Sequence, residues 1–271
     1  MGTSGAYGGS PGMKGVRDLT REWLDGGGGD SNGDPPVPPV PTPPPPNPTD
    51  DRPVPPPVPV TPALVGIIRS LGRGLSSGPG GGGGAGGTGG AGGGSSGGGG
   101  GRSRSRASTV GGRALGGVYG VRAGNAAAVG ELGLDLGELA GLTRYHQAQR
   151  ILDAAMGPRG DVLDSEMREA NAATVLWALS EEIAPAPLEM ANRWVVEYVW
   201  QMWITETGPT MQLRSGEGFD RVRAEQEMRA ALEATVAARE LPSGRPLTSA
   251  DFTSAIDGAL SSLRRISGTG A

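Results

Sequence analysis

Two tracts that cannot build a core divide this chain. From Pro35 to Pro62 it runs in Pro-Val-Pro repeats, and over 78–101 it is almost pure glycine with Ser, Ala and Thr. Such sequence cannot bury enough apolar surface to offset the entropy of ordering its backbone. The first tract reads as a polyproline II spacer rather than an SH3-type ligand, with a reach of about 85 Å. The second reads as flexible coil with an end-to-end distance of about 25–30 Å. A glycine-rich loop cradles phosphate only when a strand and a helix hold it, and neither flank supplies them. Residues 1–105 are therefore expected to form a long disordered, low-complexity arm. Residues 106–267 hold the apolar density for one modest domain.

Two short amphipathic segments interrupt the arm. In the first, over 14–25, Val16, Leu19, Trp23 and Leu24 share one helical face. A helix of that length is marginal alone in water, so it is either a nascent helix in a tail or a groove-binding motif anchored by Trp23. In the second, over 62–75, Leu64, Ile67, Ile68, Leu71 and Leu75 form a stripe with Arg69 and Arg73 off it. It either docks back on the C-terminal domain or binds a partner. The run RSRSRAS after the glycine tract is a charged domain edge or, less economically, a site for an acidic partner or nucleic acid.

The remainder reads as a mainly α, bundle-like domain. Helices are expected over 107–130, 142–156, 165–183 (Asp164 as N-cap), 187–206, 219–240, and from a cap at Thr248 or Ser249 to near residue 267. Glycines in the first make it depend on tertiary packing. In the third, Met167, Leu176, Leu179 and Ile183 are expected to make apolar contacts. In the last, Phe252, Ile256, Ala259, Leu260 and Leu263 make a continuous stripe. Helix 187–206 is apolar on all sides. Its three tryptophans, Trp194, Trp200 and Trp203, together with Tyr198 exceed what a small core usually absorbs, so one face is expected to be covered by another protein; a wholly internal core helix is the competing reading.

Charge and residue inventory narrow the chemistry. The formal net charge of −4 lacks the basic excess of a bulk nucleic-acid binder, so no direct nucleic-acid binding is expected. The absence of cysteine excludes disulfides, cysteine nucleophiles and Cys-type zinc sites. No apolar run reaches membrane-span length and no secretory signal is visible, which makes a cytoplasmic location the expectation. His146, the single histidine, reads as a surface residue. Asp161, Asp164, Glu181 and Glu182 read as helix-end and solvent-face charges. No catalytic set, metal site or cofactor is expected. The N-terminus is more suggestive. Once Met1 is removed, Gly2 presents an uncrowded α-amine with a pKa of roughly 8, a usable nucleophile. Ala6 stands where N-myristoylation favours Ser or Thr.

The opening MGTSGAYGGSPG, the Pro/Gly-rich stretch, GGRALGGVYGVRAGN, and ELGLDLGELAGLTRYHQAQRILDAAMGPRGDVLDSEMREANAATVLWAL together resemble the QatB proteins of bacterial Qat anti-phage defence systems. The resemblance implies a non-enzymatic component acting with QatA, an ATPase, with QatC, a QueC-like enzyme, and with QatD, a TatD-like nuclease. QueC-type enzymes activate a deazaguanine carboxylate with ATP and add nitrogen from an amine. The resemblance therefore also implies that the α-amine of Gly2 is a possible acceptor of a nucleobase. Two other readings stand beside it: a structural or surface-display protein with a Pro/Gly stalk, and a small enzyme hidden in the helical domain.

Overall fold

A computed structural model of the chain describes residues 13–25, 61–76, 102–157, 162–214 and 220–265. Among them are ten helices and one pair of two-residue strands: α1 (Lys14–Asp25), α2 (Pro62–Gly74), β1 (Leu75–Ser76), β2 (Arg102–Ser103), α3 (Arg104–Ala123), α4 (Ala126–Gly130), α5 (Leu136–Ala140), α6 (Arg144–Met156), α7 (Val162–Ser180), α8 (Pro187–Arg214), α9 (Arg221–Thr235) and α10 (Ser249–Arg265). The mainly α class is as the hydrophobic periodicity requires.

Local chemistry sets most helix starts. Thr61 caps α2, its hydroxyl accepting from the Leu64 amide at 3.4 Å, and Pro62 takes the first helical position, where a missing N–H costs nothing. Asn125, Asp135, Thr143 and Asp220 cap α4, α5, α6 and α9 in the same way. At α10 the cap is reciprocal. The Asp251 carboxylate accepts from the Thr248 amide at 2.9 Å, and the Thr248 hydroxyl accepts from the Asp251 amide at 3.4 Å.

Several boundaries differ from the periodicity reading. The helix expected over 107–130 is two, because Gly124 turns the chain at φ +64° and Asn125 restarts it. α7 begins at Val162, so Asp164 lies inside its first turn instead of capping it. The helix ends at Ser180, which leaves Ile183 in the connection to α8 at 85% exposure rather than in the core. α8 runs on through Pro209 to Arg214, eight residues past the expected end, with the Thr205 carbonyl denied the proline's missing N–H.

One continuous core joins all of this, and it reaches well before residue 106. Met13, Val16 and Trp23 of the α1 region and Leu64, Ile67, Ile68, Leu71 and Leu75 of α2 are buried in the same cluster as the α3, α7, α8 and α10 side chains. The body is thus α1 and α2 together with residues 102–265. α1 and α2 lie antiparallel: Met13 sits at Gly74, Gly15 beside Ser70, and Gly66 beside Leu19. At the far end of α2, β1 pairs in parallel with β2, Leu75 opposite Arg102.

The two low-complexity tracts lie outside the described residues, as does the whole of 1–12, and so do the expectations of polyproline II and glycine coil that fall on them. Their attachment points are described. Residues 26–60 leave from the C-terminal end of α1 and return at the start of α2, which the antiparallel pairing puts at the same end of the pair. Residues 77–101 leave from β1 and return at β2, its hydrogen-bonded neighbour. The two attachment points of each tract belong to one body.

Candidate functional site

The strongest functional expectations rest on the Trp-rich helix, the two amphipathic segments and the N-terminus. Trp194, Tyr198 and Trp203 of α8 are all buried, at 2% exposure or less. Trp194 stacks on Tyr198 with ring centroids 5.2 Å apart, and its Nε1 donates to Asn171 Oδ1 of α7 at 2.7 Å. Room for the indole comes from α3: a methyl group at Gly111 would lie 2.6 Å from the Trp194 ring. Trp203 is covered from the other side by α1, whose Thr20 hydroxyl accepts from Trp203 Nε1 at 3.3 Å. The cover expected from a second protein is supplied within the chain, by glycines that make space and by a helix from the supposed arm. Of the four aromatic candidates on α8 only Trp200 is partly rather than fully buried, its ring tilted against Trp203 at 5.2 Å.

Trp23, Leu64, Ile67, Ile68 and Leu71 are likewise buried in the body and leave no groove-binding face to a partner. The reason is reciprocal. An isolated amphipathic helix and an α8 too apolar to stand uncovered satisfy each other. The docking of α1 is also polar and directional. Arg17 Nη1 donates to Glu206 Oε2 at 2.7 Å, and the Glu206 side chain has no exposed surface. A buried carboxylate strongly favours a helix that brings a cation to it. Arg17 and Thr20 therefore fix α1 in register along α8, running antiparallel to it.

Gly2 lies outside the described residues. α1 defines where the stretch carrying it begins: Met13 is buried against Gly74, at the end of the body where β1 meets β2 and α3 starts. Arg104 belongs to the same end and pairs with Asp257 of α10 at 2.8 Å, so this member of the RSRSR run is a charged domain edge.

What stays open on the surface was less visible in the sequence. Between α7, α8 and α9 a groove of about 240 Å³ is lined by Trp177, Asn192, Arg193, Val196, Arg229 and Val236, among others. Arg193 lies 4.4 Å over the Trp177 ring, and Arg229 pairs with the buried Glu197 while reaching over Trp200 at 6.0 Å. Single arginines spaced along two helices carry no periodic signal, so only packing assembles this set. A second surface gathers exposed Leu142 and Tyr145 at the start of α6. Arg144 Nη1 donates to the Ser180 carbonyl at 3.1 Å, and Arg122 Nη2 to the Glu182 carbonyl at 3.2 Å, which ties this corner to the loop carrying Ile183. His146 is exposed beside it, its Nδ1 3.0 Å from the Thr143 hydroxyl. Among the described residues no cluster of three or more His, Asp or Glu has a metal-holding arrangement, and no helix is long and apolar enough to cross a membrane.

Among the described residues, a perturbed carboxyl serves structure. The Arg245 guanidinium donates to both oxygens of Asp251 at 2.5 and 2.8 Å, and holds this carboxyl down to about 2 against the opposing cost of burial. It serves the α10 cap.

No family model, curated protein or solved structure matches this chain.

Proposed function

We propose that this chain is a non-enzymatic component of a bacterial Qat-type anti-phage defence system, docking on a QueC-like enzyme and presenting Gly2 for deazaguanine-type modification. The observation that carries the reading is the anchoring of α1. α1, twelve residues long, is held on the body by Arg17 and Thr20 with Trp23 buried, and Gly2 precedes it in the chain. An uncrowded terminal amine suits an acceptor that must enter another enzyme's pocket. In the proposed step the amine nitrogen attacks the activated carboxylate carbon, an amide forms, the activating group departs and the amine releases a proton. The partly buried Trp200, the Arg193 and Arg229 groove and the Leu142–Tyr145 corner are the surfaces offered to the enzyme and to the ATPase and nuclease of the same system.

The stalk reading loses support from the same geometry, because both low-complexity tracts return to the body they leave. The test is an intact-mass spectrum of the full chain purified after co-production with a QueC-like enzyme encoded beside it. A mass increase mapped to Gly2, with that enzyme co-purifying, is the expected result. A bare Gly2 with the enzyme still bound would reduce the function to docking. A bare chain with no bound partner would sink the proposal.

A further inference from the structure

We infer that the hollow between α5 and α6, with exposed Leu142 and Tyr145 beside it, is a docking surface for a basic amphipathic segment of a partner protein. The inference rests on the proposed function in taking this chain to work through protein partners, and not on which protein docks or on any modification of the chain.

Exposure singles out this corner. Four large hydrophobic side chains are exposed among the described residues, and three of them, Leu142, Tyr145 and Ile183, belong to it. The fourth, Val222, stands apart on α9. Arg144 of α6 donates to the Ser180 carbonyl, three residues before Ile183, and so holds that loop to the corner. A single exposed hydrophobic needs no explanation, but a gathered set marks a contact surface. Tyrosine also anchors interfaces well, because its ring buries much area with few torsions to freeze.

The chemistry of the hollow says what kind of partner fits. It holds about 520 Å³, with Leu134 and Leu139 as apolar lining and Asp135, Glu138 and Asp153 as carboxylates, against which stands Arg150. Among the described residues neither Asp135 nor Glu138 has a cationic partner. Asp153 is 3.9 Å from Arg168, beyond hydrogen-bond reach. Exposed Glu181 and Glu182 precede Ile183 and extend the acidic rim. Apolar side chains bordered by unpaired carboxylates complement a segment with apolar residues on one face and Lys or Arg beside them. A small polyamine would satisfy the carboxylates but leave Leu142, Tyr145 and Ile183 in water.

The surface is also preorganised. Asp135 caps α5 and Thr143 caps α6. Gln147 Nε2 donates to the Leu139 and Leu142 carbonyls at 2.9 and 3.2 Å, so the turn that presents Leu142 is tied to α6. Little ordering cost is left for binding.

The probe is a fluorescein-labelled lysine–leucine peptide with its leucines at helical spacing, titrated with the full chain and read by anisotropy. It should bind, and a glutamate–leucine peptide of the same pattern should not. Leu142→Ser/Tyr145→Ala should weaken binding about tenfold or more. Glu138→Lys should weaken it about fivefold, a difference that shrinks at high salt. Arg150→Gln should tighten it about threefold, a gain that misfolding cannot imitate. Val222→Ser should leave it unchanged. All of these positions are exposed, so thermal midpoints should stay near the parent's. No binding by the parent, unchanged affinity in Leu142→Ser/Tyr145→Ala, or equal binding of the glutamate–leucine peptide would overturn the docking surface. Displacement by spermidine, where sodium chloride of equal ionic strength displaces nothing, would make this a site for small cations and overturn it as well. A chain that binds the peptide through Tyr145 yet co-purifies with no QueC-like enzyme would overturn the proposed function and leave the docking surface standing.

Discussion

α3 and α10 lie side by side at the centre of this protein, and they are opposite kinds of helix. α10 is amphipathic and capped, with Phe252, Ile256, Ala259, Leu260 and Leu263 all buried on one stripe. α3 has almost no amphipathic pattern and carries glycine at 111, 112, 116, 117 and 120. Yet α3 packs against α4, α6, α7, α8 and α10. Its glycines are places where a neighbour arrives. A methyl group at Gly112 would lie 2.6 Å from the Thr253 amide nitrogen and 2.8 Å from the Ser249 carbonyl oxygen of α10, and one at Gly120 would lie 2.9 Å from Val129. The comparison shows two routes to a buried helix. One fills space with side chains, and the other removes side chains so that backbones and large rings approach.

Breaking the first route should have the largest effect. Phe252 is fully buried and tilts against Tyr119 at 5.8 Å, so Phe252→Ala should cost about 3–5 kcal/mol by denaturant unfolding. Breaking the second should cost less but reverse the usual sign. Gly to Ala in a helix interior ordinarily gains about 1 kcal/mol. Gly112→Ala should instead destabilise by about 1–3 kcal/mol, because the new carbon meets backbone that no rotamer change can move.

The cap of α10 should contribute about 1 kcal/mol, and with a defined pH dependence. The Asp251 carboxyl sits near 2 in the fold, chiefly through its hydrogen bonds from Arg245, and near 3.9 in an unfolded chain. Its stabilising contribution is therefore fully present above about pH 4 and fades as pH falls toward 2. Thermal midpoints of the parent and Asp251→Asn should differ at pH 6 and converge by about pH 2; a constant gap would mean the carboxylate charge is not what the cap uses. The smallest effect sharpens the contrast with Gly112. A methyl at Gly258 of α10 meets only the Arg239 side chain, at 2.9 Å, which can swing away. Gly258→Ala should be near neutral or stabilise by up to about 1 kcal/mol in the same unfolding assay.

How much was legible follows this division. The α10 stripe, its Thr248 cap, the Gly157 stop after α6 and the proline start of α8 could be read directly, because each is a local signal with a local cause. The break at Gly124 and the continuation of α8 past Pro209 could not, since the same residue types occur within helices and between them. Both amphipathic stripes of the arm were visible, but their docking partner was not. Nothing local says that Thr20 answers the Trp203 indole or that Arg17 answers Glu206, residues nearly two hundred positions away. The surplus of tryptophan in α8 argued for an outside partner because the glycine seats of α3 have no side chain to advertise them.

Composition and periodicity alone determined that this protein is mainly helical and that its chemistry excludes cysteine. Hydrophobic burial and backbone propensity act over a few residues, so a linear string records them. Only the tertiary structure decided that α1 and α2 belong to the body and that Arg17 and Thr20 meet Glu206 and Trp203 of α8. Those facts depend on which surfaces meet, and the energy of that meeting is shared between segments the sequence holds far apart.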